Sequence, residues 1–181
     1  MPVRKALAYS RKHTRPYTRK STKKSKSYIK TVPPQKIAKR IMGDRAKFDA
    51  GGFKYVITLT AGKSILIRDL ALEASRQYLN KVLDAELTGQ YYLELKLYPH
   101  HILRENKSAG GTAGADRLSS GMKHSFGVTI GRAALVEKGK EIFVLGVDTE
   151  KAMSMAIGYL KQIRPKLPCN CAINVKINKK Q

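Results

Sequence analysis

The chain has 181 residues, and its 36 Lys plus Arg against 13 Asp plus Glu give a formal charge of +23 and a pI near 10.2. An excess of that size repels itself in isolation and binds polyanions by releasing condensed counterions, which points to nucleic acid as the partner. No run of about 18 apolar residues marks a membrane span, no apolar segment follows the basic start as in a secretory signal, and an anionic bilayer would need an apolar anchor besides; a cytoplasmic protein with no membrane partner is expected.

The charge is unevenly placed. The first 47 residues hold 16 basic residues and one acid, Asp44, a local net of +15, which leaves +8 for the other 134 residues. Residues 1–47 therefore read as an extended basic arm and 48–181 as a globular domain. In the arm Arg4, Lys5, Arg11, Lys12, Arg15, Arg19, Lys20, Lys23, Lys24 and Lys26 alternate with Ser, Thr and the aromatics Tyr9, Tyr17 and Tyr28. Such a stretch buries too little apolar surface to offset the cost of ordering its backbone, and orders on a partner. Its cations suit phosphates and its tyrosines suit unpaired bases. Pro16 and Pro33-Pro34 favour extended backbone.

From Phe53 the pattern becomes that of a folded domain. Phe53, Tyr55, Ile57 and Leu59 alternate with polar or smaller residues, the period of a strand with one buried face. Asp69 opens a helix whose inward stripe is Leu72, Ser75, Leu79, Val82 and Leu83, with Glu73 near its positive end and Gly89 as its stop. Tyr91, Leu93, Leu95 and Leu97 then alternate with Tyr92, Glu94, Lys96 and Tyr98, and Pro99 interrupts that strand. Further strands are expected around 126–136 and 141–147. A helix follows from about Thr149 to Ile163, capped by Asp148 or Thr149, with Met153, Ala156, Ile157 and Leu160 inward. Ile173, Val175 and Ile177 set against Asn174, Lys176 and Asn178 give a last strand. The sum is an α+β domain: two helices on a mixed, mostly antiparallel sheet.

Few residues invite chemistry. His100 and His101 are adjacent on a strand, so their rings face opposite ways and cannot readily chelate one ion; with Arg104 and Lys107 they read as a basic, RNA-facing patch. Cys169 and Cys171, spaced Cys-x-Cys without a second pair, make a poor zinc signal and read as small buried residues near a strand start. The long glycine-rich loop at 105–122 matches no phosphate-binding fingerprint. A nuclease needs acids gathered about one or two cations, and Asp116 stands alone in that loop. No cofactor, no metal and no enzymatic activity are expected. Loops of this length inside compact domains are uncommon and are either mobile linkers or tips that reach a partner, and Arg117 and Lys123 favour the second.

The loop also carries a family resemblance. Ala113-Gly114-Ala115-Asp116-Arg117-Leu118-Ser119-Ser120-Gly121-Met122-Lys123-His124-Ser125-Phe126-Gly127 closely resembles the loop signature of large-subunit ribosomal protein ten-e, the archaeal and eukaryotic counterpart of bacterial large-subunit protein sixteen. Leu97-Tyr98-Pro99-His100-His101-Ile102-Leu103-Arg104-Glu105-Asn106-Lys107 resembles the strand and turn before that loop. Arg15-Pro16-Tyr17, Val32-Pro33 and Lys36-Ile37 resemble the family's N-terminal arm. The likeness runs in register from about residue 4 to 178. It implies an α/β-hammerhead-like domain that binds large-subunit rRNA near the 5S rRNA and the peptidyl-transferase region, among neighbouring ribosomal proteins and without forming a homo-oligomer. It further implies a loop, with Gly114, Asp116, Arg117, Gly121, Met122 and Lys123, that points toward A-site tRNA and helps to position it. Val128-Thr129-Ile130-Gly131 stands where eukaryotic relatives carry a Pro-containing stretch, and their longer C-terminal tail is absent, which leans toward an archaeal source.

Overall fold

The structure, a computed structural model, describes residues 5–10, 23, 25, 29–105 and 127–178. Among the described residues eight strands and three α-helices follow in chain order: β1 Ile41–Gly43, α1 Arg45–Asp49, β2 Tyr55–Ala61, β3 Ile65–Arg68, α2 Asp69–Leu87, β4 Tyr92–Leu95, β5 His101–Glu105, β6 Val128–Val136, β7 Glu141–Val147, α3 Glu150–Ile163 and β8 Cys171–Ile177. A 3-10 turn over Arg164–Lys166 links α3 to the last strand. The strands form two sheets, β1-β4-β7-β2-β8 and β3-β6-β5, and every pairing among the described residues is antiparallel. The α+β expectation holds, with three α-helices in place of two and two sheets in place of one.

The extra helix has a local cause. Asp44 takes extended backbone and its carboxylate accepts from the Lys47 amide at 2.9 Å, an N-cap that starts a single turn of helix. Five residues are too few to show an apolar stripe. Just before it, Gly43 has φ +77°, and a Cβ there would lie 2.0 Å from the Tyr91 carbonyl oxygen, so only glycine lets β1 turn beside β4.

The main core lies between α2, α3 and the five-stranded sheet. Leu72, Leu79 and Leu83 of α2 and Ala156 and Leu160 of α3 close on Ile57, Leu59, Leu93, Leu95, Phe143 and Leu145. Val82, expected inward on α2, is only half-buried. The α3 helix is capped by Thr149, whose Oγ1 accepts from the Ala152 amide at 3.2 Å. Ile37 and Met42 belong to the same core although both precede Lys47. The break in composition after Lys47 falls inside α1, so it divides charge and not packing.

Two alternating runs depart from simple alternation. Tyr92, expected outward, is buried because α1 covers that face: its ring stacks on Phe48 at 4.0 Å and its hydroxyl donates to Glu94 at 2.8 Å. In β8, Val175 and Ile177 are exposed, 40% and 63%, on a strand that is the sheet's edge, while Ile173 before them packs against the core.

Candidate nucleic-acid interface

The smaller sheet carries the features nearest to a partner-binding surface. Its strands β5 and β6 form a hairpin, with Glu105 opposite Val128 as the last pair and a bulge between Leu103 and Arg104. Residues 106–126 lie outside the described residues, yet their point of departure and of return is fixed: two adjacent strands, whose ordinary spacing is about 4.8 Å. The loop expected from its glycines therefore springs from the tip of a two-stranded stem.

At the other edge of this sheet, residues 5–10 lie along β3. Arg68 is buried and its Nη2 donates to the Lys5 carbonyl at 2.9 Å, while the Leu66 amide donates to the Ser10 carbonyl at 3.3 Å. Ser10 is buried and its hydroxyl donates to the Leu7 carbonyl at 2.6 Å. Tyr9, at φ +63°, packs against a small apolar cluster of Leu66, Leu103 and Ala133. A second clamp lies further on, where Arg132 Nε donates to the Pro33 carbonyl at 2.8 Å and Ile29 and Pro33 are buried. Asp69, beside these clamps, is raised above the ordinary carboxylate value by burial. Its bond from the Leu70 amide and the charges of Lys36, Arg132 and Arg68 act against that rise.

The expected site residues fall out as follows. Lys5 is exposed, its backbone anchored by Arg68 while its side chain faces outward, and Lys23 is exposed. His100 is exposed and lies 4.3 Å from the Tyr98 ring, tilted by 43°. His101 is buried in β5 opposite Ala133; burial, and then the charge of Arg104, hold its imidazole below the usual value, so it is neutral near pH 7. Arg104 is half-buried on the hairpin stem. Arg4, Arg11, Lys12, Arg15, Tyr17, Arg19, Lys20, Lys24, Lys107, Gly114, Asp116, Arg117, Gly121, Met122 and Lys123 lie outside the described residues.

Two residues join this surface that the sequence reading did not single out. Arg40 places its guanidinium 5.8 Å from the Tyr98 ring and is fixed there by the Leu95 carbonyl, 3.2 Å from its Nε, and the Lys96 carbonyl, 3.4 Å from its Nη2. Arg40 and His100 thus both lie against the Tyr98 ring, a cation and two aromatic groups of the kinds that bind bases gathered in one place. Only the β1–β4 pairing, Ile41 opposite Glu94, reveals it, because the three residues span 60 positions of chain. Not every cation of the first quarter is available: Lys47 pairs with Asp148, and Arg45 with Asp49 at 3.2 Å. Among the described residues no group of three or more His, Cys, Asp or Glu side chains is placed to hold a metal ion, and no helix is long and apolar enough to cross a membrane.

Known proteins resemble this chain over most of its length. A family model described as ribosomal protein L16p/L10e matches residues 16–174. A large ribosomal subunit protein uL16 from Methanococcus maripaludis is 43% identical over 152 residues, 83% of this chain and 84% of that protein. The protein of that name from Thermofilum pendens is 40% identical over 177 residues, 97% of this chain and 98% of its own length. That from Halobacterium salinarum is 37% identical over 152 residues, 83% and 85% of the two chains. With the family model and these archaeal relatives each covering most of its length, the chain belongs to the L16p/L10e family of ribosomal proteins, as a structural and not an enzymatic component.

Proposed function

We propose that this chain is a structural constituent of the large ribosomal subunit that binds large-subunit rRNA near the 5S rRNA and the peptidyl-transferase region and helps to position A-site tRNA. The β5–β6 pairing carries this reading, because it brings the two ends of the glycine-rich segment, at Glu105 and Val128, side by side. In the arm, Arg4, Arg11, Lys12, Arg15, Arg19, Lys20, Lys23 and Lys24 take phosphates and Tyr17 takes an unpaired base. His100, on the folded domain, faces RNA beside Tyr98 and Arg40. At the loop, Arg117 and Lys123 supply charge and Gly114 and Gly121 allow close approach to tRNA. The two antiparallel sheets and their helices are in keeping with the α/β-hammerhead type that the loop signature implies.

Replacing Arg11, Lys12, Arg19 and Lys20 by Gln tests the arm without disturbing the packed residues 5–10. Each lost phosphate contact should lower the slope of log affinity against log salt by about 0.7 to 0.9, so the four together by about 3. Large subunits carrying this variant should shed it in a high-salt wash that the unaltered protein survives. For the loop, Arg117→Ala should leave incorporation intact and weaken A-site tRNA binding; equal loss of both would make the loop an anchor and overturn its assignment.

A further inference from the structure

Cys169 and Cys171 flank Asn170 where the chain enters β8, and their Sγ atoms are 3.8 Å apart. Cys171 Sγ also donates to the Cys169 carbonyl at 3.4 Å. The β2–β3 turn holds the segment in this form: the Gly62 amide donates to the Asn170 carbonyl at 2.8 Å, and a Cβ on Gly62 would come within 2.6 Å of that oxygen. Both cysteines line a cavity of about 480 Å³, and its charged lining residues, Lys63 and Arg164, are both cationic.

Both cysteines are buried, as their spacing near a strand start led one to expect, yet both also line this recess of positive charge, and two sulfurs in reach of one another there are the setting of a reactive dithiol. No third His, Cys, Asp or Glu joins them among the described residues, whereas a structural zinc needs four ligands. We propose that Cys169 and Cys171 form a peroxide-reactive dithiol that closes reversibly to an intrachain disulfide in the basic recess between the β2–β3 turn and the start of β8.

The two thiols are unequal. The hydrogen bond shared with Cys171 draws the Cys169 thiol down to about 7 against the effect of burial, helped by the Gly62 amide and the Lys63 charge, while the Cys171 hydrogen is held toward the Cys169 carbonyl. Cys171 is pushed up, first by that same bond to Cys169 and then by burial and the Cys169 charge, with Arg164 opposing. Cys169 is therefore the attacking thiolate and Cys171 the resolving thiol. The Cys169 sulfur attacks one oxygen of hydrogen peroxide and the O–O bond breaks, leaving a sulfenic acid and a hydroxide that becomes water on taking a proton. The Cys171 thiol then gives up its proton, its sulfur attacks the Cys169 sulfur, and the S–O bond breaks to release a second water. Two thiols and one peroxide become one disulfide and two waters; the sulfurs supply both electrons.

The test treats the full chain with hydrogen peroxide, quenches with N-ethylmaleimide and reads intact mass, since the chain has only these two cysteines. Doubly alkylated chain should give way directly to unalkylated chain lighter by two hydrogens, at a rate independent of protein concentration, and dithiothreitol should reverse it. Cys171→Ser should stop at a sulfenic acid that dimedone traps, and Cys169→Ser should react about tenfold more slowly. Chain-to-chain disulfides as the main product, a rate no faster than that of the urea-unfolded chain, or equal rates for the two variants would overturn the proposal. The unaltered chain alone decides it if a serine variant does not fold.

Discussion

Arg68→Met should release the N-terminal segment from β3 while leaving the domain folded. The guanidinium donates to the Lys5 carbonyl at 2.9 Å, a charge-assisted bond, and methionine keeps much of its aliphatic bulk. Bonds of this kind contribute about 1.5 to 3 kcal/mol. Taking about 2 kcal/mol, the equilibrium for lifting residues 5–10 shifts about 30-fold. The structure supplies its own reporter: the Leu66 amide faces the segment and donates to Ser10, so it exchanges with solvent when the segment leaves. Amide hydrogen exchange should show Leu66 faster by that factor, with the amides of β7 at the centre of the large sheet unchanged. Unchanged exchange at Leu66 would mean that Tyr9 and Ser10 hold the segment without Arg68. Equal acceleration in β7 would make Arg68 a support of the whole core. Either result refutes the clamp.

Gly43→Ala combines a left-handed φ of +77° with a Cβ 2.0 Å from a backbone oxygen, and should cost at least about 2 kcal/mol, read as a lower urea midpoint at unchanged slope; a midpoint like that of the unaltered chain would contradict it. For Glu73, burial pushes the carboxyl up, but the bonds from Arg76 at 2.6 and 2.8 Å and from Gln77 at 2.9 Å outweigh it and hold the group below the ordinary carboxylate value. A depressed folded value contributes stability that is present above the unfolded value of about 4.3 and is lost as pH falls through the folded one. Thermal melts from pH 7 to 3 should therefore fall less steeply in Glu73→Gln, and parallel curves would remove Glu73 from the acid response. Tyr98→Ala should weaken binding to an rRNA fragment by about 1 to 3 kcal/mol at fixed salt while leaving the salt slope alone, because a stacking face is lost and no charge is; a changed slope would point to Arg40 instead.

The stripe of α2 and the alternation of β2 were legible because a buried face recurs along each at the period of its own geometry, whereas β7, central in the large sheet and buried at six of its seven positions, reads only as an apolar run. β3 was not legible: Ile65, Leu66, Ile67 and Arg68 are all buried, so no alternation survives. Its inner side meets the core, and its outer side is covered by Tyr9 from 57 positions earlier in the chain. β1 and α1, at three and five residues, are too short for a period to repeat along them. The site shows the same division. His100 could be suspected from its neighbours, but its partners Tyr98 and Arg40 meet only through strand pairing. Adjacent positions on a strand put His100 and His101 on opposite faces, and only the structure shows that it is His101 whose face is buried.

The order of the large sheet bears on what happens while the chain is being made. β2 lies between β7 and β8, so the strand read out early stays open on one edge until residues 171–177 exist. An open edge over Ile57 and Leu59 is a template for pairing with another chain. A message cut short near its end would thus yield a product that holds most of the domain and still lacks the strand that seals it. Such a product should be insoluble and a target for degradation.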